Sequence, residues 1–144
     1  MPPIHMAIWA FVIACGPAFA WQEPARGSSD RAELMDALRP DAEDILGAPV
    51  EFVIDQLRVE GDVALAVVLP QRPGGGVIDI YDTPMVQRDG VDPEYMDGTR
   101  IDALLQRSGQ GWVVVDWAVG ATDVWWANPD FCETFSGVIP EVCP

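Results

Sequence analysis

Three groups of residues in this 144-residue chain have types and spacings that could support chemistry. Asp89, Asp92, Glu94 and Asp97 fall within nine residues, with Asp79 and Asp82 just upstream. Oxygen ligands set this close suggest weak Ca²⁺ binding, but their spacing is not that of an EF-hand loop, and a solvated acidic face is the plainer explanation. Trp125 and Trp126 are candidate ligand-stacking residues, because aromatic platforms beside carboxylates hold sugars and a carboxylate pair is what a glycosidase needs. Trp112 and Trp117 lie five apart in a strand. Strict alternation would put them on opposite faces, with at least one in the core. Arg58, Arg72 and Arg100 are scarce cations in an acidic chain. Arg72 is a candidate anion contact, and salt bridges to Asp79, Asp102 or Asp116 are the alternative.

The remaining composition excludes more than it supplies. Eight basic residues stand against 23 acidic ones, a net charge of -15, and every basic residue is Arg. That balance excludes a basic nucleic-acid binder and a polybasic membrane-surface protein. Without Lys there is no Schiff base and no Walker-type phosphate lysine, so the Gly74-Gly75-Gly76 run after Pro73 is a loop rather than a nucleotide cradle. The single His is His5. If it is lost on processing, Ser-His-Asp catalysis, Cys-His catalysis and imidazole-bound metal are all excluded. Carboxylates, Tyr81, Tyr95 and Arg are then the remaining catalytic groups. No metal or cofactor is expected.

The N-terminus reads as an export signal. Met6 to Ala14 is an uncharged apolar run of nine residues, well short of the ~20 that span a bilayer but suited to a signal-peptide core. Gly16-Pro17 follows, and then Ala18-Phe19-Ala20, the small-x-small form that signal peptidase reads. Cleavage is expected between Ala20 and Trp21, although the n-region carries only His5 and the terminal amine. Val12-Ile13-Ala14-Cys15 also resembles a lipobox, so a lipoprotein anchored at Cys15 is the alternative. Cleavage would remove Cys15 and lipidation would consume it. Either way Cys132 and Cys143 remain as a pair that can close a short C-terminal loop in an oxidising compartment. Such a loop stabilises by about 3 kcal/mol in the chain-entropy model.

These residues must be positioned by the elements between them. Residues 1–20 form the expected signal peptide, 21–29 a flexible lead-in, and 30–144 one α+β domain with a disulfide-closed tail. Asp30 with Glu33 marks a helix start, and Leu34, Leu38 and Ile45 with Met35, Ala42 and Leu46 give one apolar face. Pro40 either kinks this helix or opens a second one, and Gly47 ends it. Val50–Val59 reads as a strand whose phase slips near Asp55-Gln56, a bulge. Val63–Leu69 is nearly all apolar, as expected of a central strand covered on both faces. A short strand is expected over Val77–Tyr81, and a surface loop over Asp82–Gly98 with one turn near Pro93. Arg100–Arg107 and Trp112–Val119 pair across Ser108-Gly109-Gln110-Gly111. The tail from Gly120 wraps over the sheet. The result is a helix packed on an antiparallel sheet of about four to five strands.

Pro70-Gln71-Arg72-Pro73-Gly74-Gly75 and Gly120-Ala121-Thr122-Asp123-Val124-Trp125 resemble segments of a group of small exported proteobacterial proteins. Asp36-Ala37-Leu38-Arg39-Pro40 followed by Val50-Glu51-Phe52-Val53 agrees with the same pattern. The resemblance covers about Arg31 to Trp125 and implies export but no catalytic residues. The helix-plus-sheet order is also cystatin-like in outline, or similar to nuclear-transport-factor-like folds, and such folds host enzymes and binders alike. The expected protein is a periplasmic or secreted, non-enzymatic binding or accessory domain of the cell envelope, with no transmembrane segment after processing. Its charge favours a cationic protein or envelope component, for example as an inhibitor of a basic cell-wall hydrolase. The same charge could instead reflect only solubility or a saline habitat. A carboxylate-based enzyme acting on glycans is the alternative from a different class.

Overall fold

The computed structural model describes residues 20–144. The signal core, the lipobox and Cys15 lie outside the described residues.

Helix α1, Ser29–Leu46, forms where the apolar residues recur at helical spacing, and it buries Leu34, Met35, Leu38, Ala42 and Leu46. It starts earlier than the Asp30–Glu33 pair suggests. Ser28 is the N-cap, and its hydroxyl accepts from the Arg31 N–H at 3.3 Å. The helix runs through Pro40 as one element. Pro40 is exposed, so the carbonyl it cannot serve faces water. Gly47 terminates it at φ +80°, a backbone region that favours glycine, with its N–H donating to the Glu43 carbonyl.

Four antiparallel strands follow in meander order: β1 (Glu51–Glu60), β2 (Val63–Gln71), β3 (Ile101–Ser108) and β4 (Gly111–Val119). The α+β class and the helix-then-meander order agree with the sequence. The expected bulge is present in β1, where the register skips Asp55 between Ile54 and Gln56. A second bulge, in β4, was not expected. Leu104 pairs with Asp116 and Leu105 with Val114, which leaves Val115 unpaired. That extra residue resets the alternation, so Trp112 and Trp117 share one face instead of taking opposite ones, and both pack in the α1-side core.

The central strands are buried on both sides, which explains why β2 is apolar almost throughout. On the front face Ala64, Ala66 and Ala103 pack with Leu34, Leu38 and Leu46 of α1. These small residues let the helix lie close over the sheet. On the back face Val63, Leu65, Val67 and Leu104 pack with Trp126, Phe135, Val138 and Ile139 of the tail.

The loops and termini depart from expectation in four places. Val77–Tyr81 is not a strand. Val77 is 91% exposed, and Asp79 instead caps a 3₁₀ turn over Ile80–Asp82, accepting from the Tyr81 N–H at 3.0 Å. A short helix, α2 (Pro84–Gln87), follows in the acidic loop. The tail is a chain of tight turns, with 3₁₀ turns at Trp125–Ala127 and Pro129–Phe131 and one helical turn, α3 (Cys132–Phe135). The expected lead-in over 21–29 is docked rather than loose. Gln22 and Val59 exchange both main-chain hydrogen bonds at 2.8 Å, and Trp21 packs against the back core.

Candidate functional site

Most of the arginines hold the fold together. Arg72 is not free to contact an anion, because its guanidinium donates to the main-chain carbonyls of Leu46 (2.8 Å), Gly47 and Pro49 (3.0 Å). The last turn of α1 has no basic residue of its own. A cation with several donors is what those unpaired carbonyls and the helix dipole favour. The Pro73-Gly74-Gly75 turn fixes this clamp through Arg72 N–H to Gly76 O (2.7 Å) and Gly75 N–H to Arg72 O (3.0 Å). A second clamp grips Val50, whose carbonyl accepts from Arg39 and whose N–H donates to Glu43 at 3.0 Å. Arg39 also stacks over Phe52 at 5.3 Å. Arg39 and Arg72 are therefore fold-holding residues.

On the back face Arg58 reaches the tail. It pairs with Glu141 at 2.6 Å, donates to the Val138 carbonyl at 3.0 Å, and lies 5.0 Å over the Trp21 ring. Arg100 pairs with Asp102 at 2.9 Å, one of the salt bridges foreseen in the sequence, and Asp102 is 6% exposed. Arg31, Arg88 and Arg107 have acidic partners as well. Arg88 donates to both Asp89 and Asp44. Those bonds, Asp89 first, hold its guanidinium still more firmly charged, and they keep the Asp89 carboxyl below the ordinary range. Among the described residues, ion pairs with arginine occupy eight of the 23 carboxylates.

The stacking candidates belong to the core. Trp126 is buried among the back-face residues, and Trp125 is half-buried, with its ring centroid 5.6 Å from that of Phe131 in a T-shaped contact. Neither stands free as a sugar platform. Cys132 and Cys143 form the expected disulfide, with Cα atoms 5.5 Å apart. Trp21, at the expected cleavage site, is part-buried, and Ala20 is exposed. Among the described residues no three Asp, Glu, Cys or His side chains gather into a metal-holding group, the 89–97 carboxylates included. No helix among them is long and apolar enough to cross a membrane.

The described residues line several concave features, a cleft and an apolar groove among them. A cleft of about 540 Å³ opens between the docked N-terminal segment and the β1–β2 turn, with Glu23, Asp30 and Glu60 on its walls. Glu23 and Asp30 are already paired to Arg31 and Arg107. An apolar groove of about 350 Å³ lies along β4 and is lined by Ile45, Met85, Asp89, Val91 and Trp117–Val119. The sequence gives no direct sign of either. The two Trp five apart, with three Val between them, carry the same kind of phase slip as β1 and point to the β4 bulge that shapes the groove.

No family model matches this chain, and no curated protein or solved structure does either.

Proposed function

We propose that this protein is an exported, non-enzymatic binding domain of the cell envelope whose acidic surface receives a cationic partner. The observation that carries this reading is how the charges are used. Seven of the eight arginines are engaged with acidic side chains or main-chain carbonyls of the same molecule, while most carboxylates have no arginine partner. The cations hold the fold, and the surplus of anions faces outward. A surface of one sign steers and orients an oppositely charged partner. The disulfide supports export, because such bonds persist in oxidising compartments. The back-face packing of Trp125 and Trp126 weighs against a glycan-processing enzyme built around them.

A basic peptidoglycan hydrolase is the concrete partner to test. Its association rate with this protein should fall by about one to three decades from low to physiological salt, as expected for electrostatic steering. The hydrolase should lose activity in the complex if the protein is an inhibitor. A rate that does not depend on salt contradicts the reading.

A further inference from the structure

We propose that the outer edge of β4 is a docking site for an extended segment of the cationic partner, which joins the sheet as a fifth strand. This inference rests on the binding reading above and adds where and how the partner attaches.

The two edges of the sheet are treated differently. Both edge strands carry a bulge, at Asp55 in β1 and at Val115 in β4, but β1 is also closed, at Val59 by Gln22. At β4 no described strand lies on the outer side, and Asp116 Oδ1 accepts from the Trp117 N–H at 2.8 Å. An open edge is a template for pairing, which proteins normally blunt with charge, proline or a cover. The β4 edge carries one charge, Asp116, and one bulge, at Val115, but no proline and no covering strand among the described residues.

Apolar surface flanks the edge on both sides. Val113 and Val115 are 46% and 48% exposed. Val113 pairs with Gln106 on the face away from α1, beyond the reach of the tail core. On the other side is the apolar groove, and Trp117, Ala118 and Val119 all line it. Successive side chains of a strand point to opposite faces, so a groove that meets three in a row runs along the flank of the strand. An added strand would place main-chain groups against β4 and alternate side chains into apolar surface on either face, which is the way sheet edges capture peptides.

Charge selects the occupant. A second copy would bring another -15 to the same edge, Asp116 included. A segment that alternates apolar residues with Arg or Lys instead finds on the strand Asp116, which has no arginine partner among the described residues, whereas Asp89 at the groove is held by Arg88.

The test uses the protein in the form its host produces and two synthetic ten-residue peptides of equal charge, one alternating Val with Arg and the other alternating Pro with Arg. The Val–Arg peptide should slow hydrogen exchange of the amides across 111–119 at least tenfold. The Pro–Arg peptide, which cannot form a strand, should bind at least tenfold more weakly. V115R, at an exposed position, should weaken Val–Arg binding by a similar factor while leaving the melting temperature in place. Equal binding of both peptides, with protection elsewhere on the chain, overturns the edge proposal and leaves the acidic-surface reading standing. If neither peptide binds at low salt, that reading falls as well. A dimer in sedimentation, with 111–119 already protected without peptide, would make the occupant a second copy and overturn the proposal.

Discussion

The two faces of the sheet are covered by opposite means. The front is closed by α1, which satisfies most of its own main chain and needs outside donors only at its last turn, where Arg72 supplies them. The back is closed by a tail of short turns whose attachments come from side chains: the Cys132–Cys143 bond, the reach of Arg58 to Val138 and Glu141, and the insertion of Phe135, Val138 and Ile139. A helix carries its hydrogen bonds with it, whereas an irregular cover has to be tied down. The tail thus depends on thiol oxidation in a way that α1 does not.

Substitutions can break this contrast or sharpen it. The largest effect is expected from Leu38→Ala, which empties a fully buried position beneath α1. It should cost about 3–4 kcal/mol in urea unfolding and loosen the whole molecule. Replacing both tail cysteines with serine should cost about 3 kcal/mol. Its signature is regional: hydrogen exchange should accelerate over residues 125–142 before it changes in α1. Uniform acceleration would erase the distinction between the two covers. Arg72→Lys keeps the charge at the end of α1 but loses the fork of donors, for an expected loss of about 1–2 kcal/mol, with exchange rising first at the end of α1 and in the turn to β1.

The smallest effect is expected at Asp89, an exposed residue. Arg88 holds its carboxyl below the ordinary value of 3.8, so ionised Asp89 favours the folded state above that value, and the contribution fades as pH falls through the lowered one. The melting temperature of the natural protein minus that of Asp89→Asn should therefore be small and positive at neutral pH and shrink toward zero in acid. A difference that grows in acid has the wrong sign.

The contrast also explains what could be read in the sequence. The apolar face of α1, the continuous burial of β2 and the β1 slip at Asp55 were all legible, because periodicity records burial directly. The Cys132–Cys143 pairing followed from counting thiols. The role of Arg72 was not legible, since its partners are main-chain carbonyls that leave no mark on side-chain spacing. A helix end with no basic residue was the available clue. Alternation alone puts Trp112 and Trp117 on opposite faces, and the bulge at Val115 brings them to one. Trp126 lies in the back core and Trp125 packs against it with Trp21, because the back of β2 and β3 needs large apolar side chains that the strands themselves do not bring. What the sequence does show of the surface is its charge, which no packing constraint dictates.

Export is the central proposal: the Cys132–Cys143 disulfide supports it, and the choice of partner depends on it. It is tested most directly by intact-mass measurement of the protein recovered from the periplasmic or secreted fraction, with and without reduction. The predicted species begins at Trp21 and gains only the hydrogens of two thiols on reduction. A full-length chain in the cell interior, carrying its first 20 residues and reduced cysteines, would contradict the account.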